Sequence, residues 1–204
     1  MSQKKFSPAE IRRNRYAAAT RCPDLACAEK MEEAIVEAKK EGDSLGGIVE
    51  CTALNMPVGI GEPLFDSLDA DLAKAIFGVP AVKGVEFGAG FGAAELTGSQ
   101  NNDAFLLKNG KVATATDSAG GILGGLSSGM PILIRAAIKP TPSISKEQKT
   151  VNLSSMENAA ISVKGRHDPC VVPKAVPAIE AAVAITLVDH MIRAGFIPKV
   201  LKEH

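Results

Sequence analysis

The C-terminal part of the chain contains one apolar segment that limits the folds open to it. The segment runs from Val176 to Val188, is interrupted by Glu180, and places apolar residues on nearly every side of a helix. Such a helix must be buried on several sides, so we expect it to lie inside the protein, for example between two sheets. It is too short to span a bilayer. We predict that it begins near Pro177 and stops at Gly195.

The composition of the chain argues against several classes of function. Its 204 residues include 23 basic and 23 acidic side chains, so no net charge attracts nucleic acid or an anionic membrane. Seven Phe, one Tyr and no Trp leave little aromatic surface for stacking on bases. The N-terminal residues lack the apolar core of a secretory signal. We therefore expect a soluble, cytoplasmic protein that binds neither nucleic acid nor a membrane.

The cysteines do not have the spacing of a metal site. Cys22, Cys27, Cys51 and Cys170 form no CxxC pair and no zinc-ribbon pattern. Reduced thiols of a cytosolic protein are a better interpretation than metal ligands. We predict no metal site.

Hydrophobic periodicity predicts a mixture of helices and strands. The predicted helices are 28–40 and one that Asp66 caps, whose inward stripe is Leu68, Leu72, Ala75 and Ile76. The predicted strands are 48–54, 82–87, 130–139 and a hairpin of 105–107 with 112–115. The hairpin is the best-supported strand pair, because Asn109-Gly110 favours a tight two-residue turn. The pattern therefore favours an α+β fold with antiparallel sheet over a βαβ layout.

Three segments are candidates for ligand binding, and each has a plain structural alternative. The polar cluster 98–103 is better interpreted as a capped turn. Residues 120–129 contain five glycines and two serines, which suit either an anion cradle or a flexible turn, and the two are equally favoured. Residues 139–144 combine two prolines with a lysine and hydroxyls, which suits a phosphate or a flavin. In isolation an ordinary strand exit is slightly favoured for this last segment.

A fourth segment, Gly165-Arg166-His167-Asp168-Pro169, places three chemically useful side chains on a constrained turn. The Arg166 guanidinium can bind a phosphate or carboxylate bidentately, and His167 can titrate near neutrality. Asp168 can act as a base if its surroundings shift its pKa. A surface salt-bridge turn is the alternative, but the position between glycine and proline favours function. The residues alone support binding of a phosphorylated ligand.

Polar side chains also occur near the end of the apolar helix. We interpret His190 as a core or helix-end residue rather than as a catalyst. Asp189 and Arg193 are four residues apart, which is the spacing of a helical ion pair. This end of the helix is therefore expected to be structural.

Taken together and in order, many segments of the chain resemble chorismate synthase. The stretches that carry the resemblance are 21–24, 40–44, 61–63, 68–71, 81–86, 98–103, 120–129, 139–144 and 165–177. The resemblance covers most of the chain and implies that family's fold, an α+β sandwich with helices held between antiparallel β-sheets. It also implies a homo-oligomer, usually a tetramer.

The resemblance implies an activity and a set of site residues. The family eliminates phosphate from 5-enolpyruvylshikimate 3-phosphate to give chorismate, in the shikimate pathway of aromatic amino acid biosynthesis. It requires reduced FMN although the reaction has no net redox change. By resemblance, Asp168 and His167 are catalytic. The positions that match FMN contacts are Pro80, Ala81, Gly124, Lys139, Pro140, Thr141, Pro142, Ser143 and Arg166.

The chain departs from the family in length. The Gly-Glu-Ser-His-Gly motif of the family's N-terminal half is absent from the sequence. We therefore interpret residues 1–20 as an N-terminal arm or remnant, and 21–204 as the C-terminal half of a chorismate synthase-like domain. The favoured function is chorismate synthase that catalyses only with the missing half present. The alternative is a non-catalytic flavin- or anion-binding half-domain that needs a complementary N-terminal chain.

Overall fold

The computed structural model describes residues 6–198, which divide into two compact units. The first unit contains residues up to 47 together with 138–176, and the second contains 48–137 together with the residues from 177 onward. The helices are α1 (Pro8–Asn14), α2 (Leu25–Lys40), α3 (Leu68–Phe77), α4 (Gly98–Asn101) and α5 (Val172–Arg193). The predicted boundary between residues 20 and 21 stays a prediction.

The strands of the described residues form one three-stranded sheet and three two-stranded hairpins. The strands are β1 (Gly47–Ala53), β2 (Val82–Phe87), β3 (Phe105–Lys108), β4 (Lys111–Thr114), β5 (Ile122–Leu123), β6 (Leu126–Ser127), β7 (Ile132–Ile138), β8 (Gln148–Asn152) and β9 (Glu157–Ile161). The sheet has the order β1-β7-β2, and the antiparallel hairpins pair β3 with β4, β5 with β6, and β8 with β9. The α+β class is therefore confirmed.

The core of the second unit is formed by alternating or helically spaced apolar residues. On β7 the buried side chains alternate with less buried ones, as expected for a strand with one face on the core. On α3 they recur every four residues. The buried residues of these elements and of α5 within this unit are Ile132, Ile134, Ala136, Leu68, Leu72, Ile76, Ile179, Val183 and Leu187.

The N-terminus of α3 differs from the prediction. Ser67, not Asp66, is the N-cap, and its side chain makes no capping hydrogen bond. The backbone N–H of Leu68 instead donates to the carbonyl of Gly125, 2.9 Å away. A tertiary hydrogen bond thus satisfies one of the free N–H groups that a capping side chain usually takes.

The start of α5 was also predicted wrongly. The helix begins at Val172, five residues before Pro177, which lies inside it. The backbone N–H groups of Lys174 and Ala175 both donate to the carbonyl of Val171, so the first turn forms upstream of Pro177. Pro173 fits that first turn, where a backbone N–H is not needed. The stop is as predicted, because Gly195 has φ +79° just beyond the helix.

The last helix is longer and less covered than the sequence predicted. With 22 residues and a mean hydropathy of 1.6 in its most apolar window, α5 meets the length and composition of a membrane span, as core helices of soluble proteins also do. Only 28% of that window is buried. Within the described residues, therefore, α5 is covered on one side and exposed on the other.

Candidate functional site

The loop that follows β7 is fixed in the first unit by contacts with the chain after α2. The hydroxyl of Ser44 donates to the carbonyl of Thr141, 2.6 Å away. Gly46 lies so close to Ile138 and Pro140 that a Cβ on it would overlap the Ile138 carbonyl oxygen. Two prolines and these contacts hold the loop 139–143 in one conformation.

The same loop presents polar groups that the protein itself does not use. The Oγ1 atom of Thr141 is buried and has no hydrogen-bond partner among the described residues. Lys139 is exposed and forms no ion pair with any residue of the 6–198 range. Because buried hydroxyls are normally hydrogen-bonded, the Thr141 side chain is a candidate contact for a bound molecule.

The turn before α5 carries the Arg-His-Asp trio in the first unit. Gly165 has φ +144°, a value that L-residues rarely adopt. Arg166 is exposed, and His167 is half-buried with its Nε2 atom 3.1 Å from the carbonyl oxygen of Val163. The turn thus points Arg166 to solvent and ties His167 to the backbone of the preceding strand exit.

Asp168 is held by a lysine rather than buried. The Nζ atom of Lys174 donates to its Oδ2 atom at 2.5 Å, and the Asp168 side chain is 49% exposed. The hydrogen bond from Lys174, and secondarily the charges of Lys174 and Arg166, lower the pKa of Asp168 below its usual value. Asp168 is therefore ionised at neutral pH, in the protonation state that a base requires.

Pro80 and Ala81 lie in the second unit, between α3 and β2. Ala81 has φ +72°, a left-handed conformation that is uncommon for a residue with a Cβ. Such strain costs about 1–2 kcal/mol and is retained where the surrounding structure fixes it. Pro80, just before it, is exposed. The pair is thus a rigid, strained corner just before β2.

The glycine-rich segment 120–129 forms the β5–β6 hairpin. Gly124 and Gly125 make its two-residue turn, with φ +58° and +82°. Several of its backbone N–H groups are already used inside the protein, since Gly121 donates to the Asp117 carboxylate and Ser128 to the Gly121 carbonyl. A Cβ on Gly124 would meet no atom within 4 Å. The segment thus forms a turn between strands with Gly124 at its open tip, and ligand binding there stays a prediction.

The polar cluster 98–103 is a capped turn, as predicted. Thr97 and Gln100 form a capping box at the start of α4. The carboxylate of Asp103 accepts hydrogen bonds from the Thr116 hydroxyl and from the backbone N–H groups of Ser118 and Ala119. These bonds hold together the two ends of the β3–β4 hairpin, so the cluster is structural.

The polar residues at the end of α5 are structural too. His190 is buried, and its Nε2 atom lies 3.0 Å from the Asp71 carboxylate on α3. Arg193 lies 3.8 Å from Asp189, the predicted pair, and 3.5 Å from Glu62. The contacts of His190 with α3 and of Arg193 with Glu62 were not predicted, because they join residues far apart in sequence.

One further ion pair was missed by the sequence reasoning. Arg135 on β7 lies 2.9 Å from Glu86 on the neighbouring strand β2, and both side chains are largely buried. The Nε atom of Arg135 is buried and has no hydrogen-bond partner among the described residues. A shallow pocket of about 340 Å³ lies beside Glu86 and is lined by Val85, Phe87, Gly90, Phe91 and Ala94. None of the predicted site residues lines this pocket.

The described residues contain no group of three or more His, Cys, Asp or Glu side chains arranged to hold a metal ion. The four cysteines are half-buried. The predicted site residues are divided between the units, with Pro80, Ala81 and Gly124 in the second and the other eight in the first.

Comparison with known proteins identifies the class to which this fold and these motifs belong. A sequence model described as chorismate synthase matches residues 5–192. The chain is similar to the chorismate synthase of Dehalococcoides mccartyi strain BAV1, with 56% identity over 194 residues, 95% of this chain and 53% of that protein. It is 62% identical to the Archaeoglobus fulgidus chorismate synthase over 161 residues, 79% of this chain and 45% of that one.

A solved structure gives the same result. The crystal structure of a chorismate synthase superimposes with a TM-score of 0.74 at 30% identity and covers 92% of this chain. The chain belongs to the chorismate synthase family. It spans about half the length of the curated relatives that it matches, and 50% of the chain in that crystal structure.

Proposed function

We propose that this chain supplies the flavin-contacting part of a chorismate synthase. The reaction is the 1,4-elimination of phosphate from 5-enolpyruvylshikimate 3-phosphate to give chorismate, with reduced FMN as cofactor. The proposal is supported by family membership together with one observation, the buried and unpartnered Thr141 hydroxyl on the rigid loop 139–143.

The residues present fit the polar parts of a flavin mononucleotide. Thr141 offers a hydroxyl that no described protein group uses, and Lys139 on the same loop offers a cation. The Arg166 guanidinium suits a phosphate, which it can bind through two parallel hydrogen bonds. Pro140, Pro142 and Ser143 would shape the same loop. Pro80, Ala81 and Gly124 stay FMN contacts by resemblance.

Reduced FMN, when bound, supplies electron density to the allylic system from which phosphate leaves. The chain's own residues would bind and orient the flavin and the substrate and would transfer protons. Lys139 and Arg166 would stabilise negative charge on the phosphate groups. Asp168 is the proposed base; it is ionised, but the hydrogen bond from Lys174 that lowers its pKa also weakens its basicity, so proton transfer to it requires that bond to loosen. His167 is proposed to act beside it. Their catalytic roles belong to the proposal.

The proposal extends to cell location and assembly. The enzymes of this biosynthetic class are soluble, and we propose a cytoplasmic protein that acts as a homo-oligomer, with a tetramer implied by the resemblance. Because the chain spans about half of its relatives, we propose that turnover also requires the part of the family's length that this chain does not match.

The first test measures FMN binding by the 204-residue chain under anaerobic conditions, with dithionite-reduced flavin. Thr141→Val removes the hydroxyl and keeps the shape, so we expect affinity to fall about tenfold, the value of one hydrogen bond of about 1.4 kcal/mol. The free energy of unfolding should not fall, because the variant removes a buried hydroxyl that has no partner. Thr150→Val, on the exposed strand β8, is the matched control and should leave affinity unchanged.

The second test measures chorismate formation from 5-enolpyruvylshikimate 3-phosphate with reduced FMN, with and without the complementary part of a relative. Turnover that Asp168→Asn abolishes supports the elimination. Tight flavin binding with no turnover under either condition would contradict it and would favour the second candidate, a non-catalytic flavin- or anion-binding half-domain. No flavin binding at all would contradict both.

A further inference from the structure

The loop 139–143 has few backbone donors with which to anchor itself. Pro140 and Pro142 have no N–H group, so neither can donate a hydrogen bond to its surroundings. The two prolines also restrict Lys139 and Thr141, which precede them, to extended conformations. The loop is therefore stiff along its own length, but its position in the first unit depends on groups that donate to its carbonyls.

Two side chains from elsewhere in the first unit donate to those carbonyls. The hydroxyl of Ser44 donates to the Thr141 carbonyl at 2.6 Å, and the side-chain amide of Gln148 donates to the Pro142 carbonyl at 3.2 Å. Ser44 is buried, whereas the hydrogen bond from Gln148 is exposed to water. A short, buried hydrogen bond restrains a loop more strongly than a longer one that water can replace. Ser44 is thus the stronger anchor.

The segment 42–46, which carries Ser44, is itself fixed by several contacts. The backbone N–H of Ser44 donates to the Asp43 carboxylate at 2.8 Å, and that carboxylate also lies 3.1 Å from the Lys146 Nζ atom. The backbone N–H of Lys146 donates to the carbonyl of Gly42 at 3.0 Å. The Ser44 hydroxyl is therefore presented to the loop from a backbone with a defined position.

The same segment also contacts the turn 165–169. The backbone N–H of Leu45, the residue after Ser44, donates to the Pro169 carbonyl at 2.8 Å. Two consecutive residues thus bond to the two segments of the first unit that are assigned above to flavin binding, the turn and the loop 139–143. Consecutive Cα atoms are about 3.8 Å apart, so these two hydrogen bonds together fix the separation of the loop from the turn.

We propose that Ser44 is a positioning residue for flavin binding. Its hydroxyl holds the carbonyl of Thr141, and thereby the Thr141 side chain, in a fixed position relative to Arg166 on the turn. This inference rests on the proposed function, because Ser44 acts through the loop rather than on the flavin. Without the Ser44 hydroxyl the loop keeps its stiffness but loses its anchor. The binding-competent position is then populated for a smaller fraction of the time, and the apparent affinity falls by that fraction.

The first measurement is the affinity of the full 204-residue chain for dithionite-reduced FMN. Ser44→Ala should lower the affinity about fivefold, as expected if the loop then occupies its binding-competent position about one-fifth of the time. Ser162→Ala is the matched control, because the Ser162 hydroxyl also donates to a backbone carbonyl in the first unit, that of Ser145, which lies outside the loop. This control should leave the affinity unchanged within about twofold.

Two further measurements separate positioning from a general effect on the fold. Because Ser44 acts through Thr141, Ser44→Ala should change the affinity by less than about twofold in a chain that already carries Thr141→Val. In the flavin-free chain, the NMR order parameter of the Thr141 backbone N–H should fall from about 0.85 to below about 0.6 in Ser44→Ala. A merely structural role for Ser44 would lower the free energy of unfolding and would produce neither result.

The outcomes distinguish this inference from the proposed function. Equal flavin affinities of Ser44→Ala and the unaltered chain overturn the inference alone, as do additive losses with Thr141→Val or an unchanged order parameter of Thr141. If the unaltered chain binds no FMN, the proposed function is contradicted and the inference is overturned with it. If circular dichroism shows that Ser44→Ala does not fold, Ser44→Cys replaces it with the same expectations, because a thiol is a weak hydrogen-bond donor.

Discussion

The imidazole of His190 on α5 hydrogen-bonds the carboxylate of Asp71 on α3, with 3.0 Å between Nε2 and Oδ2. His190 is 1% exposed, and its Nδ1 atom has no partner among the described residues. Asp71 also lies 3.7 Å from the Arg193 guanidinium. The Asp71 carboxylate therefore links α3 to α5. Among the described residues it is the one hydrogen-bond partner of the buried His190 ring.

We expect Asp71→Ala to lower the free energy of unfolding by about 1–3 kcal/mol, because it leaves a buried imidazole without a hydrogen bond. Urea denaturation of the whole chain measures the loss. Asp189→Ala is the control, since Asp189 is exposed and lies 3.8 Å from the same Arg193. That exposed pair is worth no more than about 0.5 kcal/mol. Equal losses in the two variants would show that the buried hydrogen bond contributes nothing.

We expect Gly88→Ala to be far more damaging than Gly124→Ala, although both glycines have nearly the same φ, +54° and +58°. A Cβ on Gly88 would overlap the carbonyl oxygen of Ser118 and the backbone nitrogen of Gly120, whereas one on Gly124 meets nothing within 4 Å. The left-handed conformation alone costs about 1–2 kcal/mol, which both variants share.

Thermal unfolding of the two variants separates crowding from backbone strain. A Gly124→Ala protein should unfold cooperatively a few degrees below the unaltered chain, whereas Gly88→Ala should lose several kcal/mol or fail to fold. Similar melting temperatures for the two would mean that the loop around Gly88 relaxes freely.

We expect Ser127→Ala to lower the free energy of unfolding by about 1–3 kcal/mol. The buried Ser127 hydroxyl donates to the Pro57 carbonyl and accepts from the Ile60 N–H at 2.8 Å, so its removal leaves two polar groups short of a partner. Ser128→Ala removes one long contact of 3.4 Å to Met130 and should cost less than about 0.5 kcal/mol. Urea denaturation measures the loss in the free energy of unfolding for each variant. A larger loss for Ser128→Ala than for Ser127→Ala would contradict the hydrogen bonds assigned to Ser127.

We expect Lys174→Met to raise the pKa of Asp168, because the hydrogen bond from Lys174 is the main cause of its lowered value. NMR titration of the side-chain carboxyl carbon measures the change. Lys146→Met is the matched control: it removes a hydrogen bond to Asp43, whose pKa is also lowered, and should leave the pKa of Asp168 unchanged.

The same pair contributes to stability in a defined pH range. A carboxyl whose pKa is lower in the folded than in the unfolded protein stabilises the fold above its unfolded pKa, about 3.9. The contribution of Asp168 is therefore present at neutral pH and lost as the pH falls through the folded pKa. In Lys174→Met the free energy of unfolding should fall less as the pH is lowered. An unchanged dependence of that free energy on acid pH would contradict the pairing of Asp168 with Lys174.

Local features of the fold were predictable and long-range ones were not. The β3–β4 hairpin follows from Asn109-Gly110, which adopt φ +52° and +73° as a tight turn requires. The strand 82–87 was predicted from its local composition, and the inward positions Leu68, Leu72 and Ile76 of α3 from their spacing; Ala75, also predicted to face inward, is only partly buried. The β8–β9 hairpin was missed because its strands are exposed and show no alternation of polar and apolar residues.

In the candidate site, too, local features were predictable and long-range contacts were not. Prolines marked the loop 139–143 as rigid, and Gly165 with Pro169 marked a constrained turn, because backbone preference is a property of single residues. The bond from Ser44 to Thr141 joins residues 97 apart, and no pattern in the sequence announces it. The pairing of Asp168 with Lys174 depends on where α5 begins, and the prediction placed that start too late.

The order of segments in the second unit bears on how the chain folds during synthesis. Residues 48–137 leave the ribosome before the part of α5 that completes their unit, which follows only after the 39 residues 138–176. At roughly 5–20 residues per second, α3 waits for seconds before His190 of α5 can hydrogen-bond its Asp71. Such an interval favours chaperone engagement, and a pause in translation after residue 137 would prolong it.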